Sequence, residues 1–248
     1  MLELQGVHKH FGGLHAVNDV SFRVPPGSIK AIIGPNGAGK TTLFNLIAGV
    51  LAPTSGTIIF KGGEIQGLKP HRIAALGMSR TFQNVKLFHG MSALENVMVG
   101  RHIRSRAGFL AGMCNLPRTW REERSIRDTA MQLLEELDIA GYAEAEATSL
   151  AFGQQRAVEM ARALAVEPDL LLLDEPAAGL NIYETAEIAR LIGRIRDKGI
   201  TVLLVEHDMS LVMDISDEII VLSFGEKIAE DRPEVIQRHP EVIKISGS

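Results

Sequence analysis

Short apolar runs alternate with stretches of helical periodicity along this chain, and the alternation predicts a mostly parallel sheet covered by helices. The strand candidates are Leu2–Val7, Ser21–Val24, Ile29–Ile33, Thr57–Phe60, Leu170–Leu173, Thr201–Val205 and Ile219–Leu222. Ile188, Leu191, Ile192 and Ile195 share one helical stripe, with Gly199 placed to end it, and Ala130, Leu133, Leu134 and Leu137 repeat the spacing. From about residue 84 to 153 the strand signals vanish. Ser92-Ala-Leu-Glu95 and Thr119-Trp-Arg-Glu122 both have the form of capping boxes, in which side chains close the free amides of a helix start. The middle of the chain therefore reads as a helical insert in an α/β core. No repeat of solenoid or propeller period and no low-complexity run interrupts it.

Composition narrows this further. With 248 residues, 46% hydrophobic and 23% charged, the chain has ordinary globular make-up. A net charge of -4 gives no basic field for nucleic acid. Cys114 is the single cysteine, so no intrachain disulfide can form and a reducing, intracellular setting is expected. The start, MLELQGVHKHFGG, lacks the apolar centre of a secretory signal. Apolar runs such as Leu170–Leu173 fall far short of the ~20 residues that cross a bilayer, so a membrane role requires a partner.

The chemistry starts at Gly34-Pro-Asn36-Gly37-Ala38-Gly39-Lys40-Thr41, which fits G-x-x-x-x-G-K-[ST] between the Ile29–Ile33 strand and a helical stretch, Thr42 to Ala48. Glycines let backbone amides curl round a phosphate, and the helix start adds its free amides and positive dipole end. Lys40 would reach the β- and γ-phosphates, and the Thr41 hydroxyl would bind Mg2+. A chance match is expected in about one chain in a hundred of this length, before the strand–loop–helix context is counted. By itself the loop says nucleotide phosphate, shared by kinases, GTPases and motors. Leu170-Leu-Leu-Leu-Asp174-Glu175 is an apolar strand ending in two acids, a costly placement unless they meet a cation or a reacting water. Asp174 is placed to hold Mg2+, and Glu175 to orient and deprotonate the water attacking the γ-phosphate. The bland alternative is a pair of acids in a turn closed by Pro176.

Ser149-Leu150-Ala-Phe-Gly153-Gln154-Gln-Arg156 lies between these motifs, with Gln154 twenty positions before Asp174. Here the chain resembles the ATP-binding cassette family, whose signature, usually LSGGQ, precedes the acidic strand at about this distance. The resemblance runs over nearly the whole chain. Gln83 in Thr81-Phe-Gln stands at the Q-loop, Ala178-Gly-Leu-Asn181 at the D-loop, and His207 at the switch histidine, while Phe11 and Val17 stand where the adenine is covered. It implies a P-loop α/β core with an N-terminal antiparallel β portion and a helical subdomain, core 1–85 and 154–226, insert 86–153 and tail 227–248. It also implies two such domains packed head to tail. ATP would lie on Asn36 to Thr42 of one, while Leu150, Gly153 and Gln154 of the other donate to the γ-phosphate; His207 would contact that phosphate and Gln83 would sense Mg2+. Read alone, Gln83 is a solvated polar residue, His207 a helix-capping histidine, Phe11 core, and His8 with His10 a surface pair.

Two departures from the family pattern stand out. Ala151 removes a signature hydroxyl, and Asn181 replaces a common aspartate and alters the expected cross-subunit coupling. Activity is expected to survive, because Lys40, Gln83, Glu175 and His207 are intact. Arg80-Thr-Phe-Gln-Asn-Val-Lys-Leu-Phe, Glu95-Asn-Val-Met-Val-Gly-Arg-His102, Asp174-Glu-Pro-Ala-Ala-Gly-Leu-Asn181 and Gly225-Glu-Lys-Ile-Ala-Glu230 look like the ATPase subunits of branched-chain amino acid importers, and the long stretch after Arg101 is similar to the larger of the two such subunits. That resemblance implies transmembrane permease partners, a second ATPase subunit (a paralogue or a second copy) and, indirectly, a substrate-binding protein, with the chain peripheral on the cytoplasmic face of the membrane. Importers of urea, amides or aromatic acids, a lipid exporter and a non-transport cassette ATPase remain as alternatives. The stretch from Arg101 to Arg127, with seven arginines, reads either as a solvated face or as a surface for the permease or anionic headgroups.

Overall fold

The computed structural model describes residues 1–81, 86–102 and 117–246. They form two compact units, Met1–Arg80 with Asp169–Ser248, and Thr81–Pro168. In chain order the elements are β1 (Leu2–Phe11), β2 (Leu14–Val24), β3 (Ile29–Ile33), α1 (Lys40–Ile47), β4 (Ser55–Phe60), β5 (Gly63–Glu64), α2 (Pro70–Ala75) and β6 (Met78–Arg80). Then follow α3 (Ala93–His102), α4 (Pro117–Glu136), α5 (Phe152–Leu164), β7 (Leu170–Asp174), α6 (Ile182–Asp197), β8 (Thr201–Val205) and α7 (Met209–Ile215). β9 (Glu218–Ser223), β10 (Glu226–Asp231), α8 (Pro233–Ile236) and α9 (Pro240–Ser246) complete the chain.

The first unit holds two sheets. One is antiparallel with strand order β2-β1-β4-β5, and the other runs β10-β9-β3-β8-β7-β6. In the second sheet β3 pairs in parallel with β8 and β9, β7 lies parallel to β8 and β6, and only β10 is antiparallel. The central strands are buried throughout, which is why they read as unbroken apolar runs: every residue of β3, β7 and β8 is buried. Leu170, Leu172, Leu203 and Val205 share one core with Leu43, Phe44 and Ile47 of α1 and with Leu2, Leu4 and Val17 of the antiparallel sheet. That common core fixes the start of α1 beside the carboxyl ends of the parallel strands. Of the predicted stripe in the second unit, Ala130, Leu134 and Leu137 are buried and Leu133 is half-buried.

Some sequence expectations are corrected. β1 and β2 run well beyond Leu2–Val7 and Ser21–Val24, to Phe11 and from Leu14, because register shifts between Leu4 and His10 break the alternation without breaking the pairing. The region read as a tail contributes β10, an edge strand with no fully buried residue. Ser92 and Glu95 do form a reciprocal cap at the start of α3. Thr119, by contrast, lies inside α4, which opens at Pro117, a residue suited to a first helical position. His10 and His15 are register partners and stack at 3.9 Å with His8 edge-on at 6.0 Å, so the surface pair is a cluster of three.

The edge strand β10 is held by charge. Lys30 on β3, its side chain 2% exposed, is paired with Glu218 on β9 and Glu230 on β10, and it donates to the carbonyl of Arg23 on β2. Burial alone would raise the Glu230 carboxyl, but hydrogen bonds and charge from Lys227 and Lys30 hold it below its ordinary range. A depressed carboxyl stabilises the fold above its unfolded pKa, and that contribution disappears as pH falls through the folded value. Urea denaturation should therefore show Glu230→Gln clearly less stable than the parent at pH 7. The gap should close as pH drops below the ordinary carboxylate value of about 4.3; a gap that stays constant to low pH would show that charge is not its source.

Candidate nucleotide-binding site

The loop between β3 and α1 is shaped by its surroundings. A side chain at Gly34 would lie 2.1 Å from the carbonyl oxygen of Leu222, and one at Gly39 would lie 2.3 Å from that of Ala16. Gly39 adopts φ 97 at the helix N-cap, a conformation that L side chains resist, and no side chain caps α1 and no acid stands in its first turn. The amides that open α1 therefore face the loop rather than a carboxylate, which is the arrangement an anion requires. Pro35, Asn36, Gly37 and Thr41 are exposed, Thr42 is half-buried and Ala38 is buried. Gly225, in the turn between β9 and β10, donates to the Ala38 carbonyl at 3.0 Å and accepts from the Asn18 amide at 2.8 Å. The loop is thus tied to both sheets.

Lys40 lies along the loop, with its ammonium donating to the carbonyls of Gly34 and Pro35. Burial pushes this ammonium below its usual range, and the charge of Glu175 works against that shift. Asp174 ends β7 and Glu175 follows it with φ 48, an uncommon left-handed conformation for a non-glycine residue. Asp174 is 3% exposed and pairs with Arg80 at 2.8 Å; Arg80 also donates to Asn45 of α1 at 2.7 Å. β6, β7 and α1 are joined through that one guanidinium.

His207 follows β8, 61% exposed at its side chain, with Nδ1 3.9 Å from Glu175 Oε2 and 3.8 Å from Glu206 Oε2. It does not cap α7, because Asp208 does so by accepting from the amides of Ser210 and Leu211. Phe11 presents an exposed ring at the end of β1, with Lys9 Nζ 5.1 Å from its centroid, whereas Val17 is 1% exposed and packs in the core. The first unit thus gathers Gly34–Thr42, Asp174, Glu175 and His207 at the carboxyl ends of β3, β7 and β8. Arg80 and Glu206 belong to the same face and carry no motif of their own.

The second unit carries Leu150, Gly153 and Gln154 at the start of α5, with Ala151 at its N-cap. Ala151 has no hydroxyl to cap the helix; instead Gln154 Oε1 accepts from the Ala151 amide at 3.1 Å. Gln155 fastens the preceding loop by donating to the carbonyls of Thr148 and Leu150. Asn181, in the first unit, accepts from the amides of Tyr183 and Glu184 while Glu184 accepts from its own amide, so the amide side chain fills the N-cap position that aspartate also suits. Gln83, Arg104 and Arg106 lie outside the described residues, while Arg101 pairs with Glu167 and Arg127 with Glu144.

Among the described residues no helix is long and apolar enough to cross a membrane, and no cluster of three or more His, Cys, Asp or Glu side chains is set to hold a metal unaided. The donor set at the phosphate loop is of another kind, the exposed Thr41 hydroxyl and the Asp174 carboxylate, both hard oxygen donors of the type Mg2+ takes when phosphates complete its shell. Those residues fit the ion.

The profile of the ABC transporter family matches residues 17–178. A high-affinity branched-chain amino acid transport ATP-binding protein, BraF of Pseudomonas aeruginosa, is 48% identical over 245 residues, covering 98% of this chain and 96% of its own. An ATP-binding cassette of an ABC transporter solved in its ADP conformation superposes with TM-score 0.86 at 30% identity, over 99% of this chain and 97% of the other. A dimeric cassette in a post-hydrolysis state with ADP and phosphate gives TM-score 0.79 at 26% identity, over 94% and 99%.

Proposed function

This chain belongs to the ABC transporter family as one of its ATP-binding, ATP-hydrolysing cassettes, and from that premise we propose that it is the motor subunit of an importer for branched-chain or other hydrophobic amino acids. The observation that carries the chemical reading is the convergence of Glu175, His207 and the buried ammonium of Lys40 beside an uncapped helix start. The backbone of Asn36 to Thr42 receives the phosphates, and Lys40 turns from the carbonyls of Gly34 and Pro35 to the β- and γ-phosphates. Phe11 stacks on the adenine and Val17 backs the strand that presents it.

Thr41 and Asp174, with Gln83, would hold Mg2+, whose charge would offset that developing on the phosphates. Glu175 takes the proton of the attacking water as its oxygen bonds to the γ-phosphorus and the bridging oxygen leaves with ADP. His207 steadies the γ-phosphate, and its nearness to Glu175 keeps the two side chains facing the same atom. Leu150, Gly153 and Gln154 of a second ATPase subunit close the site, with Gln154 donating to the phosphate through Nε2 while its Oε1 keeps the bond from the Ala151 amide. The dimeric relative supports this closure. Transmembrane permease subunits and an external binding protein supply the cargo specificity, and the chain docks on the membrane through the permease.

Cells lacking this chain should lose high-affinity uptake of labelled leucine, isoleucine and valine, and the parent sequence should restore it where Glu175→Gln does not. Normal leucine uptake with loss of urea or amide uptake would overturn the cargo. Restoration by Glu175→Gln would overturn the motor reading.

A further inference from the structure

Glu206 is a charged side chain with no solvent exposure at the end of β8, and the chemistry above makes no use of it. Its carboxylate accepts three backbone hydrogen bonds from two separate turns. Oε1 takes the amide of Ala177 at 2.8 Å; Oε2 takes those of His207 at 2.8 Å and Asp208 at 3.2 Å. A carboxylate is held in such a place only when its lone pairs are met by donors, and here the donors are backbone groups on either side of the site.

The two turns are the ones that matter for hydrolysis. The first carries Glu175 in its left-handed conformation. Its own amide bonds Val205, the Ala178 amide bonds back to Glu175, Pro176 has no donor, and the Ala177 amide is taken by Glu206. A strained residue persists only where its surroundings over-determine it. The second turn carries His207 between β8 and the N-cap Asp208. With one oxygen on each turn, Glu206 ties the backbone under Glu175 to the backbone under His207. Being fully buried, it is placed to act through them rather than on nucleotide or water.

We infer that Glu206 is a positioning residue, whose carboxylate locks the turn bearing Glu175 to the turn bearing His207 and so sets the geometry of hydrolysis. The inference rests on the roles proposed above for those two side chains. Glutamine in its place keeps the shape but offers one acceptor oxygen and an amide that points N–H at N–H, so one turn is released. Aspartate keeps the charge but is too short to hold both turns at their present spacing.

The test is steady-state hydrolysis by the full chain with its membrane partners, alongside equilibrium binding of a fluorescent ATP analogue. Because a misplacement of about 1 Å can cost about a hundredfold in rate, Glu206→Gln should lower kcat about 10- to 100-fold with KM and analogue affinity changed less than about threefold. Glu206→Asp should recover part of the loss. A fully active Glu206→Gln, a change in KM alone, or failure of both variants to yield folded protein that binds the analogue would each overturn the assignment, the last by making Glu206 purely structural. Glu175→Gln measured in parallel separates the two ideas. If it is inactive while Glu206→Gln is not, only this inference fails; if it is fully active, the roles beneath it fail.

Discussion

Replacing Glu175 by glutamine is expected to lower ATP turnover about 10²- to 10⁴-fold while leaving nucleotide binding intact, the range over which a positioned general base contributes. Glutamine keeps the shape of the side chain, and the turn is held by backbone bonds, from the Glu175 amide to Val205 and from Ala178 back to Glu175. What is lost is the basic oxygen and the charge that opposes the depression of Lys40. Binding should be retained or strengthened, because a negative charge near the phosphates is removed. Phosphate release in the steady state, with equilibrium titration of nucleotide, checks both halves. Turnover within about threefold of the parent would exclude Glu175 as the base, since even a weak general base contributes about a hundredfold.

Lys40→Ala is expected to act on the other quantity. The ammonium is buried and held by the loop carbonyls of Gly34 and Pro35, so it is already placed where phosphates would arrive. A hydrogen bond to a charged group contributes about 1.5–3 kcal/mol, so losing the contacts to two phosphates should raise the Kd for ATP by about 10²-fold or more. The fold should not suffer in proportion, because the substitution also removes a charge that burial disfavours. Isothermal titration with ATP and a thermal melt of the nucleotide-free protein separate the outcomes. A large fall in Tm with unchanged ATP affinity would make Lys40 a structural residue.

Much of this was legible because the signals are local. The phosphate loop, the apolar β3, β7 and β8, and the acids at the end of β7 are continuous stretches whose chemistry follows from residues next to one another. Arg80 and Glu206 were not legible for the opposite reason. Each is a charge at the end of a short strand, ordinary in sequence, and each has a role only because β6 and β8 flank β7 in the sheet. β10 was missed because an edge strand needs few apolar residues: its six positions range from half-buried to exposed. The same logic explains His10, whose stacking on His15 depends on a cross-strand register that bulges shift away from simple alternation.

The turn at Gly225 sets a limit on how the chain can be trimmed. Shortening it before residue 225 would remove more than a charged appendage, because the Ala38 carbonyl would lose its donor and the Asn18 amide its acceptor. The same cut would strip Lys30 of its Glu230 partner, leaving a sealed-in cation with Glu218 as its remaining counter-ion. A label or purification handle therefore belongs beyond α9, where it leaves both the fuel loop and the sheet edge untouched.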